Sequence, residues 1–158
     1  MARVNVGVNP KYLADQHLIA ESVEITMITG QLQQHNFKIK SEIPTYFPMG
    51  KGHMTFFKDK LFYLARRLEH VNNEMRRRGF TPGTSLNEFI DTCPRPELVN
   101  DWKPSTWDSK QIRDRISSRL FVRLKGKPGL GYYRYEREYI TDMNEFVNNL
   151  QKSELYIL

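Results

Sequence analysis

Between Phe57 and Met75 six apolar side chains recur at steps of four and three: Phe57, Leu61, Leu64, Leu68, Val71 and Met75. That spacing puts all of them on one face of a helix, which must be covered by other parts of the chain. It predicts a long helix from about His53 to Arg78 as the central packing element. Arg76, Arg77, Arg78 and then Gly79 read as its stop, because cations favour a helix C-terminus and glycine takes the left-handed turn beyond it. Two further helices are expected around it. One starts between Pro10 and Asp15, with Asn9 or Asp15 as its cap, and runs to about Ile28 with a break near Gly30. The other spans about Trp107–Leu124, with Ile112, Ile116 and Leu120 inward. Asp142 and Glu145 stand at capping-box spacing before a stripe of Met143, Phe146, Val147 and Leu150, predicting a short fourth helix.

Residues 31–52 are punctuated by Pro44, Pro48, Gly50 and Gly52. They read as irregular chain pinned to the core by Phe37, Ile39, Ile43 and Phe47. Residues 80–105 read as a second long connection, with one short helical turn around Leu86–Ile90. Trp102 and Trp107 are assigned to the core. The expected fold class is mainly α: a single compact domain of three longer helices plus a short C-terminal helix, with long irregular connections.

Composition narrows the function classes. A mean hydropathy of -0.61 and the lack of any run of about 20 apolar residues speak against a membrane-spanning helix. The N-terminus has no apolar secretory core, and the single cysteine, Cys93, has no internal partner, so a cytoplasmic setting is expected. His17, His35, His53 and His70 show no metal-ligand spacing, and no phosphate-cradling loop or serine nucleophile arrangement is present. Neither a metal nor another cofactor is expected.

The charge is segregated. The chain carries +6 overall, but residues 110–137 alone hold nine basic side chains against two acidic ones, and residues 51–78 hold eight against three. Clustered positive charge points to a polyanion, most often a nucleic acid. Arg115, Arg119 and Arg123 lie four residues apart, so a helix lines three guanidinium groups along one side, a spacing suited to successive phosphates. Between Lys125 and Arg137 glycines, basic residues and Tyr132, Tyr133 and Tyr135 interleave. Mobile backbone, phosphate contacts and flat rings are common where unstacked bases are handled. Lys125, Tyr132, Tyr133 and Arg134 are therefore DNA-binding candidates.

A set of short motifs in fixed order carries a resemblance. They are Arg3-Val4-Asn5, Ala14-Asp15-Gln16-His17-Leu18, Ala20-Glu21 with Glu24, Gly52-His53-Met54-Thr55-Phe56-Phe57 with Asp59-Lys60, Arg78-Gly79-Phe80, and Tyr132-Tyr133-Arg134-Tyr135. The chain resembles the pyrimidine-dimer DNA glycosylases over about residues 2–137. The resemblance implies a bifunctional, metal-independent DNA N-glycosylase and AP lyase that excises ultraviolet-induced pyrimidine dimers. Residue 2 is small, so removal of Met1 is expected, leaving the α-amine of Ala2. Such amines titrate at roughly 7.7–8.0 and are nucleophilic near neutrality. By the resemblance Ala2 and Glu24 are catalytic. Arg3, Gln16, His17 and the Arg115, Arg119, Arg123 stripe would then hold the sugar-phosphate backbone. His53, which follows Gly52 in the shared motif, is read as structural ahead of the alternative that it serves the site. The implied partner is double-stranded DNA containing a lesion, bound by a monomer in a bacterial or virus-infected cell. Phage members carry arginines where this chain has Val23 and Met27, and threonine where it has Ala2. A glycosylase for another lesion or modified base, or a catalytically silent DNA-binding relative, are the alternatives. Residues 141–158 extend beyond the resemblance.

Overall fold

The computed structural model describes residues 3–125 and 133–156, with backbone alone at 121–125 and 155. The protein is mainly helical, as its periodicities predict. The helices are α1 (Asp15–Gln34), α2 (His53–Phe56), α3 (Leu61–Arg77), α4 (Asn87–Asp91), α5 (Thr106–Lys125) and α6 (Met143–Gln151). A two-stranded antiparallel hairpin, β1 (Arg134–Tyr135) and β2 (Glu138–Tyr139), precedes α6. Contacts group the chain into two units, Met1–Val4 with Ala20–Lys103 and Asn5–Ile19 with Pro104–Leu158. No helix of the described residues is long and apolar enough to cross a membrane.

In the first unit α3 buries Leu61, Leu64, Leu68, Val71 and Met75, the stripe read from the sequence. Its end is a Schellman turn: Gly79 sits at φ +82°, the Phe80 N–H donates to Met75 O (2.9 Å), and the Gly79 N–H donates to Arg76 O (2.9 Å). The expected single helix from His53 is instead broken. α2 ends at Phe56, a 3-10 turn covers Phe57–Asp59, and Lys60 leaves helical geometry at φ −125°, ψ 45°. The break swings Phe56 and Phe57 into one aromatic cluster with Phe47, Tyr63 and Trp102, with centroids 5.1–6.1 Å apart. Lys60 closes the bend by donating through Nζ to Phe56 O (2.9 Å).

α1 also departs from expectation. It runs through Gly30, where a Cβ would meet open space, and stops only past Gln34. There Asn36 and Phe37 take positive φ, and the Phe37 N–H bonds back to Leu32 O (2.7 Å). A helical glycine on an exposed face lowers propensity by about 1 kcal/mol, too little to end a helix whose Ile25, Ile28 and Leu32 are fully buried. One turn earlier Glu21 is buried and forked by Arg67, whose Nη2 donates to Oε2 at 3.0 Å.

In the second unit Gly7 stands at φ +68°, and a Cβ there would lie 2.4 Å from Ser109 Cβ, so the segment can press on α5 only because residue 7 is glycine. α5 starts with a reciprocal cap in which the Asp108 N–H donates to Ser105 Oγ and the Ser105 N–H to Asp108 Oδ2 (3.1 and 2.8 Å). Ile112, Ile116 and Leu120 are buried as predicted, whereas Trp107, assigned to the core, is 64 % exposed on the opposite side. α6 begins where predicted, with Asp142 Oδ1 accepting from the Glu145 N–H (3.0 Å).

Candidate active site and nucleic-acid interface

The N-terminal arm is anchored by a histidine. The Val4 N–H donates to His53 Nε2 (3.1 Å), and His53 Nδ1 lies 2.9 Å from Pro48 O. A carbonyl can only accept, so Nδ1 carries the proton and Nε2 the lone pair: the ring is held neutral in one tautomer. Arg3 completes the attachment, donating through Nε to Met49 O (2.8 Å). His53 thus makes structural contacts, in keeping with its sequence reading, and its duty is specific: it fixes where Val4 attaches to the 48–53 segment. Ala2 itself lies outside the described residues. Glu24, in the same unit as Arg3 and His53, sits on α1 only 4 % exposed. Val23 and Met27, on the neighbouring helix face, are 50 % and 48 % exposed.

A second cluster forms where the first turn of α1 meets the hairpin. Three consecutive residues hold it. Asp15 accepts from the Glu136 and Arg137 N–H groups with its two carboxylate oxygens (3.1 and 2.7 Å). Gln16 Oε1 accepts from the Arg134 N–H (3.0 Å), and the His17 ring lies 5.0 Å from the Tyr133 ring. The Tyr135 hydroxyl donates to Lys11 O. Asp15 is a correction to the sequence reading, which offered it as a helix cap. Its carboxylate is aimed at a two-residue turn in which Glu136 and Arg137, neither glycine, both take positive φ (51° and 72°). Such turns favour Asn-Gly, so their cost here is offset by two charge-assisted hydrogen bonds.

His17 is held neutral. Burial, and secondarily the positive charge of Arg115, lower its pKa from 6.5 to about 4. Any role for it at physiological pH is therefore that of a neutral donor or acceptor. Tyr133 is buried against it, while Arg134 is exposed and its guanidinium lies 4.9 Å from the Tyr139 ring.

Of the predicted cationic stripe, Arg115 is half-buried and Arg119 exposed; the side chains of Arg123 and Lys125, and all of Tyr132, lie outside the described residues. The sequence-level charge count is redistributed by the fold. Arg113 is only 4 % exposed and belongs to the interior of α5, and Lys110 pairs with Asp114 (2.6 Å). In the first unit Arg67 is spent on Glu21, and Arg77 and Arg78 both bond Glu74. A cavity of about 260 Å³ beside the hairpin is lined by Tyr12, Tyr139 and Phe146 together with Glu138, Asp142 and Glu145, a lining ill suited to phosphate.

The structure therefore assembles Gln16, His17, Arg115, Tyr133 and Arg134 in one unit, and Arg3 and Glu24 in the other. Sequence reasoning missed Asp15 as the hairpin anchor. Its signal was its place inside the Ala14–Leu18 motif, which does not say what the carboxylate bonds. Comparison with protein families gives a match over the arm, α1, His53 and α3 that ends before the hairpin. The pattern of the pyrimidine dimer DNA glycosylases matches residues 1–88, more than half of the 158-residue chain, and the chain belongs to that family of DNA-binding repair enzymes.

Proposed function

We propose that the protein excises pyrimidine dimers from double-stranded DNA and then nicks the strand as an AP lyase, through the α-amine of Ala2 once Met1 is removed. The amine attacks C1′ of the damaged nucleotide and the C1′–N bond breaks, releasing the base from its sugar. The sugar ring opens to an imine with the enzyme. Glu24 assists that opening, and its carboxylate then takes a C2′ proton. The electrons left behind expel the 3′ phosphate, so the backbone breaks by β-elimination. Arg3, Gln16, neutral His17, Arg115, Arg119, Arg123, Lys125, Tyr132, Tyr133 and Arg134 hold the backbone and the distorted strand.

The observation that carries this reading is the anchored arm. His53 and Met49 O fasten residues 3 and 4 in the unit that also holds the buried Glu24. Anchoring residues 3 and 4 limits the volume that an amine on residue 2 can sample, which raises its effective concentration at a bound sugar. The test is cleavage of defined duplexes carrying a cyclobutane dimer, an abasic site or neither. The protein should nick the first two and spare the third, and Glu24→Gln should bind the dimer duplex normally while losing at least a hundred-fold in nicking, the scale of general acid–base catalysis (about 10²–10⁴). Val23 and Met27, half-exposed on α1 where phage relatives carry arginine, favour a second reading in which another lesion is preferred. Nicking of abasic but not dimer duplexes would select it.

A further inference from the structure

Tyr46 is 85 % exposed, the most exposed large apolar side chain among the described residues. Its backbone is fixed on both sides. The next residue, Phe47, is buried in the aromatic cluster, 5.3 Å from the His53 ring and 5.7 Å from Phe56. Pro48 O accepts from His53, and Met49 O accepts from Arg3. On the other side, Pro44 packs 3.2 Å from where a Cβ of Gly52 would stand, and Gly52 holds φ +91°. The loop is therefore fastened twice to the N-terminal arm, directly through Arg3 and through the histidine that holds Val4. A mobile loop could fold its tyrosine down onto the surface. This one holds the ring out in water, two and three residues before the Pro48 and Met49 carbonyls that position the arm.

We infer that Tyr46 is a stacking platform for a nucleobase that has left the duplex. Its occupant is a base rather than a protein surface because the fully exposed apolar area is a single ring: Phe47 beside it is buried, Pro44, Pro48 and Met49 are only part-exposed, and Thr45, Gly50 and Lys51 are exposed and polar or small, which suits one flat π-face beside a phosphate and not an apolar docking patch. The inference rests on the DNA-repair reading of the same arm and adds to it a residue for holding a base that leaves the stack as the strand is distorted.

High exposure makes the test clean, since Tyr46→Ala removes no core contact. The probe is a short duplex with a tetrahydrofuran abasic analogue opposite 2-aminopurine, which reports stacking by its fluorescence and cannot be cleaved. Tyr46→Ala should weaken binding about ten-fold and leave the bound 2-aminopurine brighter than with the natural protein, while Tyr46→Phe, which keeps the ring, should match the natural protein in both readouts. Binding of Tyr46→Ala within two-fold, with unchanged emission, would overturn the platform and leave the proposed activity standing. If the natural protein binds this duplex no better than an undamaged one, the repair reading fails and the platform with it.

Discussion

Helix α3 and the β1–β2 hairpin keep their geometry in opposite places. α3 is specified by its own residues: a buried stripe at helical spacing and a glycine at its end. The hairpin is specified from elsewhere. Its turn residues are poor choices for positive φ, and its position is set by Asp15, Gln16 and Lys11, 118 to 124 residues away in the chain. One element is held by area removed from water, the other by a few aimed polar contacts. The lesson is that the region presenting Arg134 to solvent is coupled to the first turn of the helix that also carries Glu24, by hydrogen bonds rather than by a core.

Three measurements sharpen or break that contrast. The largest effect belongs to the buried side. Arg67→Ala leaves Glu21 charged, buried and without its fork, and should cost about 3–5 kcal/mol in denaturant unfolding, whereas replacing both partners by Leu and Met should recover most of that loss. An effect under about 1 kcal/mol for Arg67→Ala would mean that the Glu21–Arg67 pair is not closed and buried as described.

Asp15→Ala comes next. It strips two turn N–H groups of their acceptor and should cost about 1–3 kcal/mol, with faster amide exchange at Glu136 and Arg137. In a Glu136→Asn, Arg137→Gly background the turn no longer needs outside help, so the same substitution should cost clearly less. Equal costs in both backgrounds would break the claim that the carboxylate offsets backbone strain.

The last effect is titratable and confined to acid pH. His17 binds its proton at about pH 4 when folded but near 6.5 when unfolded. The unfolded chain therefore takes up the proton first, so His17 lowers stability as pH falls from 6.5 toward 4 and has no effect above 6.5. Comparing urea midpoints at pH 7 and pH 4.5 should show a smaller drop for His17→Gln than for the natural protein. Identical drops would place His17 in a wetter setting than the one beside Tyr133.

Legibility in the sequence followed the same divide. The α3 stripe, the α5 stripe, the Asp142 cap and the Gly79 stop are local patterns, and each has its structural counterpart. Gly30 misled because a propensity term was set against burial that a sequence does not display. The Lys60 break was hidden because Phe57 fits the stripe of an unbroken helix equally well. Glu24 was singled out through motif order alone, and the fold buries it on α1. The work of His53 and Asp15 was not reachable, because a tautomer and a turn clamp exist only between residues far apart in the chain. The charge count overstated the cationic surface for the same reason: Arg67 and Arg113 look like surface residues until the fold buries them.

The most direct test of the central claim is borohydride reduction during cleavage of an abasic duplex, followed by peptide mapping of the trapped protein by mass spectrometry. The account predicts a single adduct, on the α-amine of Ala2, and loss of trapping when that amine is blocked by acetylation. Strand cleavage with an adduct on a lysine, or with no adduct at all, would contradict it.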